Sequence, residues 1–390
     1  MQDSCQVCGS TTWRKLPDPV DGRAVTTAGR IIDESLGKSQ CGGCGFVQRI
    51  NARFLGHTEY YEQDYAKYYE RPGTAKFHLA RYQVLVDWMV SVLGPIAPSR
   101  ILDVGCGQGW AMEVMRACYP KAVIEGLEPS LFNSQVARAK GFLVHETRAT
   151  SDALSETKYD LVYSNNVIQH VTDARAFIDS MKGMVKENGA IIITCPDATL
   201  PNIEVLWSDQ NFSFLPEHLI RICDDAGFST IEWFASPPSP SVPPAQMLVI
   251  SNDANFLKGH EGMQAPNSSL EEIYQAKCDY LGSFQKIDDF VCAATTSHER
   301  VFNFGSSYWS SILAAYCRRY WLKVAACLVE ETDGLEPQFL DKRVLRFDSI
   351  TPTDHDAMVL GTSPATHEAL GARLSSAWKN VITWDQFLSY

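Results

Sequence analysis

Between residues 100 and 253 short apolar runs alternate with longer stretches whose apolar positions recur three or four apart. The runs ILDV, AVIEGL, FLVHE, YDLVYS and AIIITC read as strands, and WAMEVMRACY and ARAFIDSMKGMV between them as amphipathic helices. That alternation predicts a parallel sheet covered by helices. TIEWFA and QMLVIS flank the proline cluster SPPSPSVPP and predict a closing antiparallel hairpin rather than a domain linker. Upstream, a helix is predicted from about Thr74, with Phe77, Leu79, Val84, Leu85, Trp88, Met89 and Val92 near 3.6 spacing. Tyr60, Tyr61, Tyr65, Tyr68 and Tyr69 before it are too dense for core alone, and a share of them is expected to cover a ligand cleft. Residues 269–295 predict a bridging helix. Beyond it, RVFNFGSSYWSSILAAYC, KVAACLVEE, RVLRFDSI, DAMVLGTSPATHEALGARL and NVITWDQF predict a small second parallel α/β unit.

Length and composition bound this picture. The chain has 390 residues, too many for one ordinary core, and its 45% apolar and 21% charged residues are those of a soluble globular protein. A formal charge of -12 works against a large phosphate-neutralising surface, so nucleic acid is a disfavoured partner. No run of about 18 apolar residues is present and MQDSCQVCGS lacks a signal-peptide pattern, so no membrane span and a cytoplasmic location are expected.

Four of the twelve cysteines form two CxxCG turns, CQVCG at 5–9 and CGGCG at 41–45. Each turn lets two thiolates point at one ion while the next glycine relieves the backbone, so Cys5, Cys8, Cys41 and Cys44 predict a tetrahedral zinc site. A shell closed by four sulfurs leaves no position for water, which makes the Zn2+ structural. The other eight cysteines sit in apolar contexts and read as reduced, buried thiols. The expected organisation is a zinc-ribbon-like module at 1–55, a central domain with a helical lead-in at 56–253, a linker helix at 254–298 and a small Rossmann-like domain at 299–390.

The stretch LDVGCGQG ends the first central strand, with Gly105, Gly107 and Gly109 leaving the backbone bare for a ligand. Trp110 stands where a nicotinamide fingerprint needs glycine, which disfavours a pyrophosphate. S-adenosylmethionine has no phosphate, and Asp103 is placed to orient its ammonium end directly or through the loop. GLEPS, 126–130, ends the second strand with Glu128, a carboxylate able to accept both ribose hydroxyls. With YDLVYSNNVIQHVTD and KGMVKENGAIIITCPD following in order, residues 95–253 resemble the class I S-adenosylmethionine-dependent methyltransferases. The resemblance implies a Rossmann-like core in which Gly105, Gly107 and Glu128 touch the cofactor, with Asp103 and Cys106 close by. It also implies an adenine contact in ETRATSDAL, where Thr150, Ser151 and Asp152 are candidates, Asp152 being carried forward.

A sulfonium methyl is already activated, but a hydroxyl or carbon acceptor needs a base. His170 in NNVIQHV is the best-placed histidine, and Asn165 and Asn166 lie nearer the expected methyl, where they could orient an acceptor. Trp207, Asp209, Gln210 and Phe212 are expected to line the acceptor site; alternatively LPEHLIRICDDAGF is a plain helix start, with His218 exposed. The order of modules resembles bacterial sugar methyltransferases, including deoxysugar C-methyltransferases and polysaccharide-cluster enzymes. In that group the tail resembles a nucleotide-binding fold, with Gly305, Ser306, Ser307, Thr362 and Ser363 at its turns, beside an equal expectation of a purely structural tail. The C-methyltransferases carry a histidine- and tyrosine-rich motif after the fifth strand, where this chain has DQNFSFLPEH, which shifts the expected acceptor to a sugar or glycan hydroxyl. Base methylation of ribosomal or transfer RNA and noncatalytic cofactor binding are the alternatives.

Overall fold

A computed structural model describes residues 4–49, 59–65, 75–150, 154, 157–237, 244–257, 262–263, 269–332 and 335–388. Asp152, Ser151, Tyr68 and Tyr69 lie outside the described residues. The N-terminal strands are β1 (Trp13–Lys15), β2 (Ala24–Val25), β3 (Ile31–Ile32), β4 (Lys38–Cys41) and β5 (Val47–Arg49). β1, β4 and β5 form an antiparallel sheet, and β2 pairs with β3.

A π-helical turn at Tyr60–Asp64 and helix α1 (Ala75–Leu93) lead into the central sheet. Its first five strands are β6 (Arg100–Val104), β7 (Val123–Leu127), β8 (Leu143–His145), β9 (Tyr159–Asn165) and β10 (Val185–Pro196). Helices α2 (Trp110–Cys118), α3 (Leu131–Ala139) and α4 (Ala174–Met184) connect them. The five strands are parallel in the order β10-β9-β6-β7-β8. After β11 (Phe212–Ser213) and α5 (Pro216–Asp225), β12 (Thr230–Ala235) and β13 (Ala245–Ser251) close the sheet as the expected antiparallel hairpin, β13 lying against β10. The mixed α/β class and the Rossmann-like core are as the hydrophobic pattern predicts. Strand order runs outward from β6 to one side and restarts at β9 on the other, so the carboxyl ends of β6 and β9 diverge into a crevice.

Two expectations for α1 fail. Leu79 and Val84 are 41% and 45% exposed, while Leu85, Trp88 and Met89 pack as expected, joined by Val86. A 3.6 period marks a stripe but does not say how wide the neighbouring sheet is.

The long helix α6 (Leu270–Ala294) follows. Then come β14 (Arg300–Phe304), α7 (Tyr308–Tyr316), α8 (Arg318–Lys323), β15 (Val324–Val329), β16 (Gln338–Phe339), β17 (Lys342–Arg346), β18 (Asp356–Leu360), α9 (His367–Leu374) and β19 (Val381–Ile382). β17, β15, β14, β18 and β19 are parallel neighbours in that order, with β16 added antiparallel at the edge.

The pieces share their cores. β11 of the central region pairs with β5 and extends the N-terminal sheet, and Phe46 packs on Phe212 and Phe214. A second core joins Leu16, Ala24 and Val25 to Leu206, to Tyr280, Phe284 and Ile287 of α6, and to Ile312 and Leu313 of α7. Apolar area removed from water stabilises by roughly 25 cal/mol per Å², so these shared clusters hold the N-terminal strands, α6 and the tail together.

Candidate functional site

Four sulfurs meet at the start of the chain. Cys5 and Cys44 stand 3.7 Å apart, Cys8 and Cys41 3.5 Å, and all four Sγ atoms lie within 4.8 Å of one another. A tetrahedral ion with sulfur bonds of about 2.3 Å requires sulfurs about 3.8 Å apart, so the donor set and its spacing fit zinc. Gly9 and Gly45, the glycines after each pair, take φ of 76° and 80°, a region that costs other residues. A Cβ on Gly43 would stand 3.2 Å from the Cys8 sulfur, and the Gly43 N–H donates to Cys41 Sγ at 3.3 Å.

His218, expected to be exposed, is buried. Its Nδ1 accepts the Leu215 N–H at 2.9 Å, and Nε2 lies 2.8 Å from the Cys44 carbonyl oxygen. Burial pushes its imidazole down to about 4. The N-terminus of α5 therefore rests on the cysteine cluster, which a helix-start pattern cannot reveal.

In the crevice of the central sheet lies a cavity of about 740 Å³, within the roughly 300–1,000 Å³ of small-molecule and cofactor sites. Gly105, Gly107, Glu128, Asn165, Asn166 and His170 all line it. Gly105 takes φ 80°, and a Cβ there would stand 2.5 Å from Val167 Cγ2. The loop after β6 thus touches the loop after β9, and glycine is the residue that lets it.

Glu128 is held from both sides. The Gly107 N–H donates to Oε2 at 2.9 Å and the Ser130 N–H to Oε1 at 2.8 Å. Burial raises its carboxyl to about 7, these two bonds pulling against the shift. Asn133 lines the cavity next to it, and its buried Oδ1 has no partner among the described residues. At the far wall the Thr194 hydroxyl donates to Asn165 Oδ1 at 3.0 Å, while the buried Asn165 Nδ2 likewise lacks a partner. Orphaned buried amides are costly. An acceptor beside Glu128 suits ribose hydroxyls, and a donor at Asn165 suits an oxygen, so these residues fit a nucleoside bearing an amino-acid end.

Two residues expected near the cofactor do not line the cavity. Asp103 is buried at the end of β6 beneath the loop, where burial raises its carboxyl to about 8, Tyr163 drawing it back and Glu128 adding repulsion. Cys106 turns to the opposite side: its Sγ would stand 2.5 Å from a Cβ on Gly126, and it packs in the apolar layer with Met112. Between two glycines in a turn, the thiol is the one side chain of Gly105–Gly107, and it packs in the apolar layer. Thr150 lines the cavity, with Thr147, Arg148 and Ala149.

Asn166 sits at φ 55°, in the left-handed region, with its N–H bonded to the Thr194 carbonyl at 2.9 Å. Four residues on, His170 is held at Nδ1, 2.9 Å from both the Asp209 main-chain oxygen and the Tyr61 hydroxyl. Burial lowers its imidazole below the usual value, Lys38 adds to this, and Asp209 opposes it. Burial therefore favours the neutral ring.

Trp207, Asp209, Gln210 and Phe212 do not line the cavity. They are buried behind it, Phe212 in β11 and Asp209 bonded to Thr27 of the N-terminal module. The segment after β10 carries the module's sheet rather than a cavity wall. The lining instead includes Tyr61 of the π-turn, Tyr65 at its end, and Arg81 and Tyr82 of α1. The tyrosine density signalled the first two, and Arg148 lies in the ETRATSDAL segment expected at the adenine; Arg81 and Asn133 carried no signal, being ordinary helix residues.

In the tail, Gly305 takes φ 110° and packs against Gly361 and Thr362. Asn303 Nδ2 donates to the Gly305 carbonyl at 2.7 Å and to Ser310 Oγ at 3.0 Å, and the Tyr320 hydroxyl donates to Asn303 Oδ1 at 3.0 Å. These turns are tied to each other.

Residues 78–232 match a family profile described as a methyltransferase domain. The chain is 28% identical over 169 residues to a malonyl-[acyl-carrier protein] O-methyltransferase of Legionella pneumophila, covering 42% of this chain and 55% of that protein. It is 33% identical over 130 residues to a ubiquinone biosynthesis O-methyltransferase of Brucella ovis, covering 31% and 52%. The chain thus spans about half the length of the curated relatives it matches. A solved structure of a methyltransferase from Thermotoga maritima, described as a possible histamine N-methyltransferase, superposes with a TM-score of 0.38 at 18% identity, covering 46% of this chain and 91% of that one. With the glycine loop, Glu128 and the β6/β9 crevice in one cavity, the domain at residues 78–232 is that of a class I S-adenosylmethionine-dependent methyltransferase.

Proposed function

We propose that the protein transfers a methyl group from S-adenosylmethionine to a hydroxyl of a sugar, nucleotide-linked or within a glycan, with His170 as general base. The observation that carries this reading is that Glu128, Gly105, Gly107, Asn165, Asn166 and His170 face one cavity. The cofactor, when bound, supplies an electrophilic methyl on a sulfonium. Glu128 and Asn133 are suited to hold ribose hydroxyls, and the bare loop at Gly105 and Gly107 lets the nucleoside lie close to the backbone. A cavity wall of Tyr61, Tyr65, Asn165, Asn166 and Thr172 offers neutral hydrogen-bonding groups to a polyol. The acceptor proton goes to His170 Nε2 as its oxygen takes the methyl. Both curated relatives named above are O-methyltransferases, which supports oxygen as the atom. Asp152 stays an adenine-contact candidate, and Cys5, Cys8, Cys41 and Cys44 are proposed to hold a structural Zn2+.

The test is incubation with labelled S-adenosylmethionine and a panel of nucleotide sugars, glycans and RNA. Label in a sugar, lost in His170→Gln with cofactor affinity kept, is the expected result. Label in RNA alone sinks the sugar acceptor, and full turnover by His170→Gln sinks the base.

A further inference from the structure

We propose that Asp209, clamped by Thr27 of the cysteine-bearing module, is a positioning residue that fixes His170 in the Nδ1–H form and presents an unprotonated Nε2 to the cavity. This rests on the reading of His170 as the base.

The Asp209 carboxylate is fully buried and meets three donors: the Thr27 N–H at 2.8 Å on Oδ1, and the Thr27 hydroxyl at 2.5 Å and the Tyr60 hydroxyl at 3.2 Å on Oδ2. Tyr60 in turn accepts the Ala28 N–H at 3.2 Å. One loop of the N-terminal module, between β2 and β3, therefore grips Asp209 across 182 residues of sequence. So anchored, Asp209 presents its main-chain oxygen to His170 Nδ1 at 2.9 Å, and the same oxygen accepts the Tyr61 hydroxyl at 3.1 Å. A carbonyl oxygen can only accept, so Nδ1 must carry the proton. In a neutral imidazole Nε2 then holds the lone pair, and it has no hydrogen-bond partner among the described residues.

Asp209 acts a second time when Nε2 gains a proton. Its Oδ2 lies 3.8 Å from Nδ1, close enough to favour the imidazolium. The other groups facing the ring are Tyr61 from the π-turn and, further off, the Lys38 ammonium from β4, which opposes that charge. Asp173, the N-cap of α4, and Asp179 within it line the same cavity. Among the described residues only Asp209 both accepts from Nδ1 and carries a negative charge beside it.

The experiment uses full-length protein labelled with 15N-histidine and saturated with S-adenosylhomocysteine. The chain has nine histidines, so the His170 signals are assigned by their loss in His170→Gln. Wild type is expected to show a protonated Nδ1 and a bare Nε2 at pH 8. Thr27→Val and Asp209→Asn should each raise the Nε2–H form to roughly a third or more, and Thr27→Ser should restore the wild-type pattern. In Asp209→Asn the imidazole midpoint should fall by roughly half a unit or more, because a carboxylate favouring the charged ring is gone. Unchanged tautomer and midpoint in both variants overturn the proposal. So does a wild-type spectrum with the proton on Nε2, which decides the matter even if neither variant folds. Turnover by His170→Gln bears on the base alone, so failure of that reading is separable from failure of this one.

Discussion

At the scale of single residues the proposed cofactor corner turns on Glu128. Its carboxyl is raised to about 7 by burial, and it must be ionised to accept two hydroxyls. Below that pH binding must first expel a proton, so affinity is lost as pH falls and is retained above. The Kd for S-adenosylhomocysteine is expected to rise about tenfold for each pH unit below 7, and Glu128→Gln should bind weakly with a flatter profile. Calorimetry between pH 5.5 and 8 checks this; a flat wild-type profile rules the carboxylate out as the ribose ligand. Glu128→Ala should abolish binding altogether. Gly105→Ala tests the backbone beside it. The new Cβ meets Val167 at 2.5 Å and the residue is held at φ 80°. Left-handed strain of about 1–2 kcal/mol plus that collision should raise the same Kd at least tenfold.

At the scale of elements, the carboxyl end of β9 carries the side of the cavity proposed to meet the acceptor. Asn166 takes its left-handed φ of 55° there, and its N–H is bonded to β10 through the Thr194 carbonyl. Asparagine tolerates that conformation and a β-branched residue does not. Asn166→Gly should therefore leave thermal stability within about 0.5 kcal/mol while lowering methyl transfer, because only the amide is lost. Asn166→Val should cost about 1–2 kcal/mol of stability as well. Denaturant titration and turnover, read side by side, separate the two effects; equal loss of stability in both variants removes the backbone argument. The π-turn at Tyr60–Asp64 is the other element that matters, because Tyr60 reaches the Asp209 carboxylate while its neighbour Tyr61 reaches His170.

Across the whole molecule the cysteine cluster is tied to segments that back the cavity. The Cys44 carbonyl is bonded to His218, Gly45 approaches Leu270 of α6, and β5 borrows β11 from the segment that carries Asp209. Losing the proposed Zn2+ should loosen the wall that holds His170 as well as the module itself. Cys41→Ser, or chelation, is expected to lower the melting temperature by several degrees, at roughly 2 °C for each kcal/mol. The cofactor Kd should change less than threefold, since Glu128 lies on the opposite half of the sheet. Metal analysis with thermal melts checks this, and an unchanged melting temperature after metal loss would mean that the four sulfurs hold nothing structural.

The sequence alone determined what depends on neighbours along the chain. Strands of the central sheet, the bare loop at Gly105 and Gly107, the acid at Glu128 and the paired CxxCG turns follow from local spacing and from backbone conformations that favour glycine. Which side of a loop a side chain takes was not written there. Cys106 and Asp103 were expected close to the ligand and neither lines the cavity: the thiol packs in the apolar layer, and Asp103 is buried in β6, from where it reaches a ligand only through the loop. Asp209 and His218 looked like an acceptor contact and an exposed residue, and tertiary structure buried both. Their partners, Thr27 and Cys44, lie more than 170 positions away. A buried polar group needs a hydrogen bond wherever it can find one. When the partner comes from a distant segment, only the folded chain decides who it is.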